Sequence, residues 1–548
     1  MTRHSHNSLD PNSGRLKHEG MILIIVLVVI LMLSLGAYTF TDLMITYDEA
    51  ADLSGERIQA RWTADSGIDM IRMHLILPDQ QRYDAGGEYN NSMMFQAINV
   101  VPDTNPRNIA NFTAVAPFVD QTGLMSGIRY GLEDESARIN LNALLLADTY
   151  VTNGGRTLLM ALPGMSEDVA DSILDWIDED DDTREYGAEY DYYQSLVPPY
   201  SPKNGPLDTV EELLLIRGVF PQLLFGQDAN RNGMVDPSET GLINNGANAA
   251  NQAMTPPATA MTGDPAMAGI ERGWASFLTL YSQEANLNAA GEPRIDVNSE
   301  DLETLHQDLQ SKFSLDVANF IILYRQSESN SSETENGVPA ATIEMDFTLP
   351  PSRSITQLLE LVEIRLEVEG LEGPVLVNPA FPLNSLGAYV DNLMDNAAAN
   401  SNPTIPGRIN INQAPRSLLM GIPGITEEIV DRIIQERIPD PAEDVSKMQP
   451  TEAWLLKNLI VDLDEFRQML PFICVGGDVF RTQVIGYFED GAASSRVEVV
   501  IDRTTATPRI RLWRDLSHLG RGYSLEMLGL QYIDGSVPGQ APMSLPTP

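Results

Sequence analysis

The 548-residue sequence contains one cysteine, Cys474, so no intramolecular disulfide can form. Set in "LPFICVGG", that thiol reads as a small core residue rather than a reactive group. Histidine is also scarce. Three of the six lie at the N-terminus (His4, His6, His18), and His74, His306 and His518 are scattered, so no histidine cluster exists to ligate a soft metal or run acid–base chemistry. G-x-S-x-G, H-E-x-x-H and phosphate-loop motifs are all missing. The chain is therefore read as a binding or structural protein, not an enzyme. Positive charge is in short supply too: 35 Lys and Arg face 77 Asp and Glu, a net charge of −42. A field of that sign repels phosphate backbones and argues against nucleic acid as a partner. It favours divalent cations wherever carboxylates converge. Apolar residues make up 43% of the chain, enough for globular cores, and the length allows several domains.

One long apolar run is present. Met21 to Phe40 carries no charge, and twenty helical residues at ~1.5 Å each cross a bilayer core of ~30 Å. A secretory signal has a shorter apolar region and an A-x-A-like cleavage site, and "AYTFTDLM" offers none. Arg3, Arg15 and Lys17 precede the run, while Asp42, Asp48 and Glu49 follow it. The positive-inside bias keeps the leader cytoplasmic and exports the rest. Beyond the run, Leu43, Tyr47, Ala50, Ala51, Ile58, Trp62, Ser66, Met70, Met73 and Leu77 recur at three- and four-residue steps. That stripe predicts one helix over 21–77, with 21–40 in lipid and the remainder packed on a soluble domain.

A short basic leader ending in Gly20, an apolar start at Met21 and a long N-terminal helix resemble a type IV pilin-like precursor. The resemblance implies that a prepilin peptidase cuts between Gly20 and Met21 and that the new N-terminus is methylated. Most such proteins carry glutamate at the fifth mature position, and here that position is Ile25. A carboxylate in lipid is costly unless it pairs with a neighbour's amine. Its absence resembles the K-type pseudopilins of type II secretion, which sit at the fibre tip.

Three stretches echo one another: "ARINLNALL" from Ala137, "PRIDVNSEDL" from Pro293 and "GRININQAPRSLL" from Gly407. Asn142, Asn298 and Asn412 are read as helix N-caps. After the first and last come helix–turn–helix units around Pro163-Gly164 and Pro423-Gly424. After the middle one, "FSLDVANFIILYR" retains only the second half of the unit. Such repetition signals duplicated units resembling helix-hairpin-helix or SAM-like motifs. In both turns the second glycine of a DNA-binding hairpin is absent, and Glu167, Asp168, Glu427 and Glu428 occupy the helix N-termini where phosphate would sit. The role read for them is structural. The stretch from Asp175 to Val219, joined to "ESARINLNAL", again resembles the K-type pseudopilin, in which a large helical domain is inserted into a pilin fold. Its acidic part, Asp178–Asp182 with Glu189, is read as a solvated loop. "SGIRYGLEDE", "FRTQVIGYFE", "SRVEVVIDR" and "PRIRLWRDL" alternate as strands. The stretches 244–269 and 326–337 and the tail from Asp534 are poor in large apolar residues and read as loops.

The expected architecture is α+β: a long N-terminal transmembrane helix and a pilin-like antiparallel sheet, with a large helical insertion. Its parts are a leader at 1–20, the helix at 21–77, a first pilin-like β segment at 78–135, and an inserted helical domain at 136–470. The repeats fall near 137–220, 293–367 and 407–470. A second β segment at 471–533 and a tail at 534–548 complete the chain.

"DANRNGMVDPSE", Asp228 to Glu239, matches a twelve-residue calcium loop. Asp228, Asn230 and Asn232 hold positions one, three and five, and Gly233 permits the sharp turn. Met234 offers its carbonyl, Asp236 ligates directly or through water, and Glu239 is bidentate. Oxygen donors alone point to a hard cation. Short flanking segments suggest an isolated structural calcium site rather than a sensor.

The resemblance implies a minor pseudopilin of the type II secretion system that caps the periplasmic pseudopilus and supports export of folded proteins. Its partners would be other minor pseudopilins of the I and J types, the prepilin peptidase and the inner membrane. The secretin and secreted proteins are further candidates, and nucleic acid is not expected. Alternative readings are a minor pilin of a type IV pilus or a membrane-tethered DNA receptor. Coexpression with a prepilin peptidase is expected to give a mature chain beginning at Met21, and Gly20→Val is expected to block the cut. N-terminal sequencing that finds Met1 retained, or a start beyond Phe40, rejects the pilin reading.

Overall fold

The computed structural model describes residues 16–236, 239, 271–328, 330–331, 337–370 and 373–530. Most of the expected leader and loop 244–269, part of loop 326–337 and the tail at 534–548 lie outside these residues.

The N-terminal helix α1 runs unbroken from Leu16 to Ile76. It begins before the expected Met21 because the five preceding residues, "LKHEG", contain no helix breaker other than the terminal glycine. From Ile22 to Phe40 it is exposed along its whole length, as a membrane-spanning segment would be. The expected stripe is not the buried one: Leu43, Tyr47, Ile58, Trp62 and Met73 are exposed, because the sheet takes the face with the small alanines, which lets the backbones approach. Over its last five turns the buried stripe is Ala60, Ala64, Ile68, Ile71 and Leu75. The 4-4-3-4 spacing keeps these residues on one face.

That stripe lies on a seven-stranded sheet. The strands are β1 (Ile98–Val101), β2 (Ala110–Val119), β3 (Met125–Tyr130), β4 (Glu133–Asp134), β5 (Val479–Phe488), β6 (Ser494–Asp502) and β7 (Arg509–Asp515). The main order is β1-β2-β5-β6-β7, with β3 also on β2 and β4 also on β5, all antiparallel. Period-two alternation divides the side chains. Phe112, Ala114, Val484, Val497, Val499 and Ile501 meet α1. Val115, Ile485 and Tyr487 point the other way, onto Tyr523, Leu525 and Leu528 of the C-terminal segment. The strands "SGIRYGLEDE", "FRTQVIGYFE", "SRVEVVIDR" and "PRIRLWRDL" fall where alternation predicts them. β1 and β2 have no such prediction: β2, "ANFTAVAPFV", is buried on both faces along most of its length and so lacks the alternating signature.

The chain leaves the sheet after β4 and returns at β5. These two strands pair, Phe480 opposite Asp134, so the ends of a very long excursion are neighbours. Between them lies a separate, mostly helical core. The three echoing motifs share one local geometry. Each forms a two-residue parallel bridge: Ile139-Asn140 with Leu278-Thr279, Ile295-Asp296 with Ala397-Ala398, and Ile409-Asn410 with Ile473-Cys474. In each the bridge residue's side chain accepts from the backbone two residues on: Asn142 N to Asn140 (3.0 Å), Asn298 N to Asp296 (2.9 Å) and Asn412 N to Asn410 (2.9 Å). Asn140 caps the first short helix, Asp296 and Asn410 close the same local turn, and the helix after the middle motif is capped by Asp301. None of the expected Asn142, Asn298 and Asn412 is a helix cap. Those asparagines instead reach distant backbone, donating to Leu207, Ile355 and Val475 carbonyls respectively. The middle unit also differs from expectation. It has two helices, Leu302–Lys312 and Leu315–Gln326, joined without a Pro-Gly turn.

The closest approach of α1 to the sheet is at Gly486, where an added Cβ would lie 2.1 Å from the Ala60 carbonyl oxygen and 2.7 Å from the Ala64 nitrogen. Both are backbone atoms of a helix and cannot swing aside. Gly486→Ala is expected to lower stability by about 1–3 kcal/mol through overpacking. Gly55→Ala, on the same helix with nothing within 4 Å of its added methyl, is expected to be neutral or to gain up to ~1 kcal/mol of helix propensity. Thermal melts of the detergent-solubilised chain check the contrast.

Candidate cation loop and its seat on the sheet

The acidic twelve-residue motif follows a helix of only five residues, Pro221–Phe225. Its turn is set by two left-handed residues, Arg231 (φ 56°) and Gly233 (φ 79°). Gly233 suits that region because it lacks a Cβ. Arg231 is held there by its neighbours, its guanidinium lying 4.3 Å from the Phe225 ring centroid and 3.2 Å from Glu211.

The predicted ligands are gathered by the loop's own N–H groups. Asp228 accepts from Asn232 N (3.0 Å) and Gly233 N (2.8 Å). Glu239 closes the turn, accepting from Asn230 N (3.0 Å) and Asp236 N (2.9 Å). Asn230 and Asn232 both donate a side-chain N–H to Asp236, at 2.8 and 3.1 Å. Met234 N donates to the Asn232 side chain at 2.8 Å, and the Met234 side chain leans on the sheet core. The loop therefore brings Asp228, Asn230, Asn232, Met234, Asp236 and Glu239 into one turn. Gly20 and Met21, the other predicted site residues, lie within the first turns of α1.

The donor set suits a hard cation. It is all oxygen, and Asn230 Oδ1 is buried without a hydrogen-bond partner. Burial, with the Glu239 charge adding, pushes the Asp228 carboxyl up to about 6 even though backbone N–H bonds from Gly233, Asn232 and Arg231 oppose the shift. Among the described residues no group of three or more His, Cys, Asp and Glu side chains is drawn together for a metal ion. The loop's ligands are instead a mixture of carboxylates, amides and a carbonyl.

Around the loop runs a charged seam that the sequence does not advertise. Arg138 pairs with Glu133 (2.6 Å), Arg481 bridges Glu135 and Glu498, and Arg514 holds Glu211 (2.7 Å). Glu133, Arg138, Glu211, Arg481, Glu498 and Arg514 line, with the loop, a partly open cavity of about 110 Å³ between the sheet and the insertion. Gln483, Arg496, Gly522 and Tyr523 contact the loop directly and were not foreseen. The one local hint is Arg496, which shares a strand face with Glu498 and Val500 in "SRVEVVIDR".

The acidic stretch before it splits in two. Glu179–Asp182 is exposed, as expected of a solvated loop. Glu189, expected with them, is only 4% exposed, and neither carboxylate oxygen has a partner. It is buried beneath its neighbours because Ala188 and Tyr193 on either side belong to the core. Burial, then Asp175 and Asp178, push its carboxyl up to about 8, so it is protonated at neutral pH.

A helix long and apolar enough to cross a membrane continues onto an antiparallel sheet, and a helical domain is inserted between two paired strands, which defines an α+β protein of two cores. Residues 137–225, which hold the first Arg-Ile-Asn motif and its helical unit, match the family model for type II secretion system (T2SS), protein K. That match marks the stretch 137–225 as a type II secretion system protein K domain. Among solved structures the chain is similar to one chain of the GspK-GspI-GspJ complex from the enterotoxigenic Escherichia coli type 2 secretion system. The identity is 12% and the TM-score 0.37, over 85% of this chain and 99% of that one. No curated protein matches.

Proposed function

We propose that this chain is a minor pseudopilin of the protein K type that caps the tip of the periplasmic pseudopilus and supports export of folded proteins without chemistry of its own. The observation that carries the reading is Ile25. With no carboxylate there for a neighbour's N-terminal amine, the chain is poorly suited to the middle of a fibre. The helical insertion adds bulk suited to an end. Basic residues before the span and acidic residues after it orient the leader to the cytoplasm and the body to the periplasm. The anchor lies in the inner membrane, and Gly20–Met21 is the processing site for a prepilin peptidase. Beyond the bilayer, α1 keeps Leu43, Tyr47, Ile58 and Trp62 exposed, a surface for neighbouring helices. The solved complex contains GspI and GspJ beside GspK, and the corresponding minor pseudopilins are the partners we assign to this chain.

Calcium is the proposed ligand of the loop. Asp228, Asp236 and Glu239 supply carboxylates, Asn230 and Asn232 amide oxygens, and Met234 a carbonyl. The role is structural.

Two outcomes are expected. In sheared or trapped fibres, quantitative mass spectrometry should find this chain far below the major subunit, and near-equal abundance rejects the cap. Calorimetric titration of the detergent-solubilised chain should give a calcium dissociation constant of roughly 10⁻⁴ to 10⁻³ M, as for extracellular modules. At a hundredfold excess the folded state gains ~2.7 kcal/mol. Glu239→Gln should remove most of that gain, and Mg²⁺ should substitute poorly. No calcium heat, with identical melting in calcium and chelator, rejects the site.

A further inference from the structure

The calcium loop is joined to the sheet through its own backbone. Three consecutive carbonyls, those of Asn230, Arg231 and Asn232, are each taken by a side chain from the sheet or the C-terminal segment. Arg496 of β6 donates to Asn230. Gln483 of β5 donates to Arg231 at 2.7 Å, and the Tyr523 hydroxyl donates to Asn232 at 2.9 Å. The Asn232 side chain returns a bond to the Gly522 carbonyl at 2.7 Å. Gln483 and Tyr523 also meet each other, at 3.0 Å. Met234, the next ligand, packs among Val115, Ile485, Tyr487 and Tyr523. Asn230 and Asn232 thus do two jobs: their side chains belong to the cation site, and their carbonyls belong to the sheet contact.

We propose that cation occupancy of this loop is a clamp that fastens the C-terminal segment 516–530 and the insertion to the face of the sheet opposite α1. The proposal rests on the calcium reading. Its physical basis is that one turn conformation serves both contacts. Without a cation, Asp228, Asp236 and Glu239 are held together by N–H donors alone, and Arg231 is kept in the left-handed region, which is strained for a residue with a Cβ. Opening the turn relieves both, and it also withdraws the carbonyls from Gln483, Arg496 and Tyr523. Arg496 is fully buried, and its guanidinium has two nitrogens, Nε and Nη1, without partners. The Asn230 carbonyl is therefore a bond it can ill spare, because a buried unpaired cation is strongly unfavourable. A cation that fixes the turn keeps this face closed.

Coupling of this kind is reciprocal. Tyr523→Phe removes one hydroxyl, which bonds the Asn232 carbonyl and Gln483 rather than any predicted ligand oxygen, and should weaken calcium binding severalfold. Hydrogen exchange on the detergent-solubilised full chain, in calcium and in chelator, reads the clamp directly. Calcium should slow exchange by about tenfold or more in peptides covering 480–488 and 516–530, and leave the helix pair at 302–326 unchanged. In Glu239→Gln the calcium-dependent difference should vanish at 516–530. Calcium heat with protection confined to 228–239 overturns the clamp and leaves the calcium site standing. Absence of calcium heat overturns the site and the clamp together. Equal calcium affinity in Tyr523→Phe and the parent chain also overturns the clamp.

Discussion

Everything in this molecule is arranged around the close contact between α1 and β5. Ala60 and Ala64 present almost no side chain, and Gly486 presents none, so helix backbone and strand backbone nearly touch. Laying the helix on the sheet removes the stripe Ala60, Ala64, Ile68, Ile71 and Leu75 from water, which drives the contact. The close approach fixes the helix over the centre of the sheet, since a neighbour with a Cβ at this point would push it away. With one face of the sheet committed to α1, the other is left to the C-terminal segment and the loop Asp228–Glu239.

The insertion is tolerated for a related reason. β4 and β5 are hydrogen-bonded neighbours, so a long excursion between them begins and ends at one place, and loop length adds only slowly to the cost of closure. The junction is strongly polar. Asp134 accepts from Ser136 N, Gly477 N and Asn410 Nδ2 at 2.7–2.8 Å, although burial still holds its carboxyl up at about 6. Glu135 meets Arg481 across the same seam. A polar junction of paired charges sets orientation more than it adds stability, since desolvation offsets much of the Coulombic gain. The insertion has its own apolar core, and the seam positions it against the sheet.

The parts of the fold legible in sequence are those whose signal is local. The span from Met21 to Phe40 is a continuous apolar run. The strands β5, β6 and β7 alternate in sequence because charged or polar residues such as Arg481, Gln483, Glu498 and Arg514 hold one side of each strand in the polar seam with the insertion. The loop at Asp228–Glu239 has a spacing that few other structures need. Strand β2, "ANFTAVAPFV", is buried on both faces and carries no charged residue, so no alternation marks it. The side chains that bond the local backbone in the three repeats are Asn140, Asp296 and Asn410 rather than the asparagines two residues later. Both positions in each motif are asparagine or aspartate, and only the fold decides which one turns inward to its own backbone.

What the sequence determined by itself, then, is the set of elements and their chemistry: an anchor, alternating strands, an oxygen-donor loop, a large negative charge. These depend on neighbours within a few residues along the chain. The tertiary structure decided which of them meet. Asp180 and Glu189 belong to one acidic stretch and look alike in sequence, yet Asp180 stays in water with Glu179 and Asp181 while Glu189 is buried. Gln483, Arg496 and Tyr523 lie far beyond the loop they hold, at separations of 252, 266 and 291 residues. No local pattern encodes such pairs, because hydrogen bonds between distant segments are formed only after the sheet has brought β5, β6 and the C-terminal segment to one face.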